Sequence, residues 1–182
     1  MTQVILVDRE DRPLGKMEKL AAHQHGLLHR AFSLLILDQD RMLLQQRAAS
    51  KYHCPGLWAN ACCSHPAPGE SVAQAAARRL PEELGAPAPP LVEWFSFYYE
   101  ARLDQGLIEH ELDHVLVGFS AGPWRMEPAE VQDLRWLSRP QLQQEMDQEP
   151  HNFAPWFHII MKEIDQRWPD KLHFPTANDI IK

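Results

Sequence analysis

The chain has 182 residues, 45% of them apolar, and a formal net charge of −7. That length can bury one substantial core, and no stretch resembles a linker, so a single unit spanning 1–182 is expected. The acidic balance argues against bulk nucleic-acid binding, and apolar runs that are short and broken by charges argue against a membrane span.

Met1-Thr2-Gln3 leads directly into the strand-like run Val4 to Val7, so no secretory leader is expected. Asp8 to Pro13 reads as a polar turn, and Lys16 to His23 has helical character. His29 to Leu37 and Met42 to Gln46 flank Asp38-Gln39-Asp40-Arg41 and read as a hairpin. Pro55-Gly56 closes a loop before a strand candidate at Leu57 to Cys63. Ser71 to Leu84, rich in Ala, Arg, Leu and Glu, reads as a helix stopped by Gly85. Pro87, Pro89 and Pro90 form a stiff connection to long strands at Leu91 to Leu103 and Ile108 to Phe119. Val131 to Leu137 suggests one more strand, followed by helices near Arg139 to Met146 and Pro155 to Arg167. The tail Leu172 to Lys182 has no assigned role and is expected to be frayed or packed on the sheet. This irregular mixture predicts an α/β (α+β) fold with a mixed β-sheet between helices.

Chemistry concentrates in two short runs. In Asn60-Ala61-Cys62-Cys63-Ser64-His65-Pro66, an extended backbone puts Cys63 and His65 on one face and Cys62 and Ser64 on the other. One cysteine is therefore expected to be chemical and its neighbour structural. Glu109-His110-Glu111 repeats the i, i+2 spacing with two carboxylates, and the two runs suggest a metal and a proton-transfer group in one pocket. Three cysteines, two of them adjacent, make a poor disulfide framework and suit a reducing, cytoplasmic compartment.

The helical run carries a first resemblance. The Nudix pattern is Gly-x5-Glu-x7-Arg-Glu-U-x-Glu-Glu-x-Gly, with U bulky and aliphatic. This chain has Ser64, Glu70 and then Arg78-Arg79-Leu80-Pro81-Glu82-Glu83-Leu84-Gly85 in the same register. It departs at Ser64, in place of Gly, and at Arg79, in place of a Glu that helps hold metal in the hydrolases. A guanidinium there changes the task from holding metal to gripping phosphate oxygens.

A second resemblance is more specific. Cys62-Cys63-Ser64-His65-Pro66, Glu109-His110-Glu111, Glu18-Lys19-Leu20-Ala21-Ala22-His23 and Pro155-Trp156-Phe157 together resemble type 1 isopentenyl diphosphate isomerase, over about 4–168. The resemblance implies a Nudix fold that isomerises rather than hydrolyses, with Cys63 and Glu111 as the catalytic pair. It implies His23, His29, His65, Glu109 and Glu111 as ligands of one tightly held divalent metal. It also implies Lys19, Arg47, Lys51 and Arg79 as contacts to the substrate diphosphate, and Glu83 as ligand of a substrate-borne Mg2+. Imidazoles with carboxylates suit Mn2+, Zn2+ or Mg2+. Tyr99 is expected beside Glu111, Trp156 against the cationic intermediate, and Trp58 as a further wall. His25, His53, His110, His114, His151, His158 and His173 are expected to be structural or solvated.

The expected partner is a small allylic or homoallylic diphosphate. Two other readings compete. A Nudix diphosphohydrolase would want the carboxylate that Arg79 replaces, and a zinc-stabilised binding module would use Cys54, Cys63 and His65 as ligands. The motifs do not fix the oligomeric state, and a monomer is compatible with them.

Overall fold

The computed structural model describes residues 2–51, 53–103 and 106–181, and among them nine strands join in one mixed sheet. β1 (Gln3–Val7) and β2 (Pro13–Glu18) form an antiparallel hairpin. Its turn is held by the Asp8 carboxylate, which accepts from the amides of Glu10 and Arg12, each at 2.9 Å. Lys16 to Glu18, expected to begin a helix, belong instead to β2, where Lys16 pairs with Ile5 and Met17 with Val4. The helix α1 (Lys19–His25) starts only where Glu18 caps the Ala21 amide, at 2.9 Å. It ends at Gly26 in the left-handed region (φ 60°), and Ile108 lies 3.2 Å from where a Cβ would project.

β3 (His29–Asp38) is the hub. It turns into β4 (Arg41–Arg47) and runs parallel to β8 (Ile108–Phe119) from His29 opposite Glu111 to Leu37 opposite Phe119. The strand expected at Leu57 to Cys63 is two strands. β5 (Trp58–Asn60) pairs with β4, while β6 (Cys62–Ser64) pairs with β3, and the chain changes partner at Ala61. The buried Asn60 amide braces this switch by donating to the carbonyls of Leu34 and Cys62, both at 3.1 Å. β7 (Leu91–Arg102) is antiparallel to β8, and β9 (Val131–Ser138) is antiparallel to β4.

Alternation along β3 and β8 sorts the core into two layers. Leu35, Leu37, Val115 and Val117 face α4 (Pro155–Arg167) through Phe157, Ile160 and Ile164. Phe32, Leu34, Ile36 and Leu116 face α2 (Val72–Leu84) through Ala75, Ala76, Leu80 and Leu84. Each fully buried Leu or Phe contributes roughly 1.5–3 kcal/mol. Ser71 and Gln74 form a capping box at the start of α2, and Gly85 ends it in the left-handed region. α3 (Arg139–Gln148) and a short α5 (Ala177–Ile180) complete the fold. The tail is anchored at Phe174, 3% exposed in the α4 layer, while Leu172 and Ile181 are exposed and Lys182 lies outside the described residues. Among the described residues, no helix is long and apolar enough to cross a membrane.

Candidate active site

Strand register assembles the deep end of the pocket. His29 on β3 is opposite Glu111 on β8, which is opposite Tyr99 on β7, so three distant segments share one row. His23 joins from the last turn of α1 and His65 from just beyond β6. The donor atoms of His23, His29, His65 and Glu111 all lie within 4.8 Å of one another. Glu111 Oε1 is 3.0 Å from His65 Nε2, 3.4 Å from His29 Nε2 and 3.9 Å from His23 Nε2.

The backbone fixes two of these rings. His23 Nδ1 donates to the Lys19 carbonyl and His29 Nδ1 to the Leu27 carbonyl, each at 2.7 Å. A carbonyl only accepts, so Nδ1 carries the proton and the Nε2 lone pair of a neutral ring faces the cluster. His29 Nε2 is buried without a hydrogen-bond partner. Burial holds His23 below the ordinary histidine range, and burial with the Lys19 charge pushes His65 down to about 3. Imidazoles converging on a carboxylate, one of them with an orphaned nitrogen, are a donor set that could hold a divalent metal.

Glu109 lines the same pocket but falls outside that four-residue group. Tyr99 Oη lies 2.8 Å from Glu111 Oε2 and 3.2 Å from Glu109 Oε2, bridging the two carboxyl groups. Burial and the neighbouring Glu111 charge raise Glu109 far above the carboxylate range. Burial acts on Glu111 in the same sense, but the imidazoles of His29 and His65 beside it bring it below that range. Two buried carboxyl groups this close disfavour both being charged.

The adjacent cysteines separate as alternation requires. Cys62 is fully buried in the α2 layer. Cys63 lines the pocket, with Sγ donating to Asn60 Oδ1 at 3.0 Å and lying 3.5 Å from Ser33 Oγ. Ser33 Oγ also donates to Asp113 Oδ2 at 2.8 Å. Burial and the Asp113 charge push the Cys63 thiol up, while burial and the Glu111 charge push Asp113 up to about 8.

At the mouth the expected cations are present, with partners. Arg47 donates to the His53 and Cys54 carbonyls at 3.1 and 3.2 Å, and its guanidinium stands 5.1 Å from the Trp156 ring centre. Arg79 bonds Glu82 at 2.6 Å and Glu83 at 2.7 Å, and Glu83 also accepts from Gln45 at 3.1 Å. Lys51 contacts Glu130, and Lys19 lines the pocket near Glu111 and Arg47, its amine lowered by burial. Trp156 is 3% exposed and lines the pocket, with His53 edge-on at 5.8 Å. Trp58 is not in the lining; Arg135 covers its ring at 4.0 Å and it bridges to Phe153.

Some residues that line the pocket, as Ser33, His53, Gln45 and Glu130 do, or stand behind it, as Asp113 and Asn60 do, escape sequence reading. Asp113 shares parity with Glu111, and Ser33 with His29, so alternation could have found both. His53, expected to be structural or solvated, is pushed down to about 3 by burial and the Arg47 charge, and it lines the pocket. Gln45, Asn60 and Glu130 carry no local signal. His110 and His114 point away from the site: His110 bonds the Gly26 carbonyl at 2.9 Å and His114 bonds Glu93 at 2.7 Å.

Comparison with known proteins agrees with this fold. The family pattern described as NUDIX domain matches residues 27–157. A Serratia proteamaculans protein named isopentenyl-diphosphate Delta-isomerase is 48% identical over 170 residues, covering 91% of this chain and 94% of the relative. A Burkholderia multivorans protein of the same name is 47% identical, covering 91% and 97%. Among solved structures, a Deinococcus radiodurans protein superposes with a TM-score of 0.71 at 15% identity, covering 88% of this chain and 98% of that one. A MutT NUDIX hydrolase of Burkholderia pseudomallei gives 0.60 at 19% identity, covering 75% and 98%. These structural likenesses concern the fold.

Proposed function

We infer the function from one premise: the chain belongs to the isopentenyl-diphosphate Delta-isomerases of the NUDIX family. It is an enzyme that interconverts isopentenyl diphosphate and dimethylallyl diphosphate. The observation that carries this reading is 48% identity to a named isomerase over nearly the whole of both chains. The pocket gives the reading its chemistry.

Moving the double bond requires adding a proton at one carbon of a weakly basic alkene and removing one at another, through a tertiary cation. Cys63 and Glu111 are the two groups we assign to these transfers. Each is an acid in one direction and a base in the other. Tyr99, within hydrogen-bond reach of both Glu111 and Glu109, holds the two carboxyl groups in register. Ser33 and Asn60 hold the sulfur in place. Trp156 offers a ring face to the cation, an attraction worth roughly 0.5–2 kcal/mol. The enclosed position of Cys63 and Glu111 keeps water from capturing that cation.

His23, His29, His65 and Glu111, with Glu109 beside them, would hold one Mn2+, Zn2+ or Mg2+, and Glu83 a Mg2+ that arrives with the substrate. Such ions supply positive charge that orients the carboxylate and neutralises the diphosphate. Lys19, Arg47, Lys51 and Arg79 grip the diphosphate itself. Three free cysteines suit a reducing, cytoplasmic setting, and strands drawn from 3 to 138 into one sheet support 1–182 acting as one unit.

The hydrolase alternative is disfavoured by Arg79, which stands where the hydrolase motif has a carboxylate and is paired to Glu83. Incubation with isopentenyl diphosphate and Mg2+ in heavy water decides the matter. The expected result is dimethylallyl diphosphate with solvent deuterium on carbon, seen by proton NMR, and no phosphate release by phosphorus NMR. Phosphate release matching substrate loss, without carbon-bound deuterium, would establish hydrolysis instead.

A further inference from the structure

The mouth of the pocket contains an acidic side chain to which neither the motifs nor the reaction assigns a task. We propose that Glu130 is a specificity-determining residue whose carboxylate occupies the diphosphate cradle and yields only to a diphosphate, excluding ligands with a single phosphate. This rests on the reading that the cradle takes a prenyl diphosphate.

Glu130 contacts Lys51 directly, and its Oε2 is 3.6 Å from the Arg79 guanidinium, so one carboxylate spans two cations assigned to the diphosphate. Its backbone is anchored: its carbonyl accepts from Ala48 at 3.0 Å and its amide donates to Glu127 at 2.9 Å. The side chain, 27% exposed, reaches solvent and can swing outward without disturbing that anchor. Arg79 is already engaged by Glu82 and Glu83, and Arg47 by two backbone carbonyls. An arriving anion therefore exchanges partners with Glu130 rather than meeting bare cations. A single phosphate would replace one carboxylate by one anion carrying less than about one extra charge and gain little. A diphosphate brings two phosphoryl groups and more charge, reaches Lys51 and Arg79 together, and outcompetes the carboxylate.

The test compares the whole protein with Glu130→Gln, which keeps shape and removes charge, by titration calorimetry at fixed Mg2+ with inorganic phosphate and inorganic pyrophosphate. Thermal unfolding and isopentenyl diphosphate turnover are measured on both proteins. The variant is expected to bind phosphate about fivefold more tightly or better, the scale of one partly exposed ion pair, and to prefer pyrophosphate over phosphate less strongly. A folded variant with unchanged or weaker phosphate affinity, or an unchanged preference, overturns the proposal, because Glu130 would then only brace the cations. If the wild-type protein turns over isopentenyl diphosphate while the variant shows that result, the isomerase reading stands and this proposal alone fails. A wild-type protein that neither binds pyrophosphate nor turns over substrate would remove both.

Discussion

At the deep end of the pocket His29, Glu111 and Tyr99 stand in one row of the sheet, fixed by ladder hydrogen bonds. At the mouth, Lys51, Arg79, Glu83 and Glu130 hold one another through ion pairs drawn from a loop, a helix and a strand end. The deep end is a rigid arrangement whose geometry is set before any ligand arrives. The mouth is a set of exchangeable pairs that a polyanion can rearrange. Chemistry that depends on where a proton is delivered is placed in the first, and recognition of charge in the second.

The sharpest way to break this contrast is within one strand of the deep end. Cys63→Ala should lower turnover by about 10^3-fold or more, while Cys62→Ala keeps activity within a few-fold and loses roughly 1 kcal/mol of stability from the α2 layer. Initial rates and urea unfolding of both variants check this; equal losses of activity in two folded variants would show that the faces are not distinct.

Next in size is the metal-holding cluster. A chelator should abolish turnover, and His65→Ala should weaken metal retention by about 10–100-fold, measured by elemental analysis after dialysis. Full activity in rigorously metal-free protein would contradict it.

At the mouth the effect should be smaller and of a different kind. Arg79→Gln is expected to raise KM for isopentenyl diphosphate by about 10-fold with a lesser change in kcat, as fits binding rather than proton transfer. A kcat loss as large as that of Cys63→Ala would merge the two regions.

The last effect concerns stability in acid and leaves turnover at neutral pH untouched. His53 and His65 are both pushed from 6.5 down to about 3, so the folded state keeps them neutral where the unfolded chain would protonate them. Stability is thus full above pH 6.5 and is lost as pH falls towards 3, on the order of a few kcal/mol per histidine in metal-free protein. His53→Phe should flatten this slope, read from urea midpoints at pH 7 and pH 5.

Much of the deep end was legible because alternation along a strand is a local rule: Cys63 parted from Cys62, and Glu111 from His110, as period two demands. The hairpin at Asp38 to Arg41 and the helix from Ser71 to Gly85 carried turn and capping signals of their own. Other features depend on partners that no window reveals. Lys16 to Glu18 form a strand because β1 lies beside them. Leu57 to Cys63 breaks at Ala61 because its two halves pair with different strands. Glu130 reaches the pocket only once β9 has joined β4, and Asn60 meets the Cys63 sulfur only once β6 has joined β3. The same holds for Arg79, whose departure from the Nudix pattern is visible in sequence but whose pairing with Glu83 and approach to Glu130 are not.

The long parallel ladder between β3 and β8 also governs how the protein comes into being. His29 and Glu111 belong to segments far apart in the chain, and their parallel pairing closes a loop that contains the intervening strands and α2. Pairings between distant segments close late, since the entropy of ordering the loop is lost before the contact rewards it. On a ribosome, Glu111 emerges well after His23, His29 and His65, so a nascent chain passes through a stage with three imidazoles and no carboxylate to gather them. Assembly of the centre should therefore fall late in folding, and substitutions along β8 should speed unfolding more than they slow refolding.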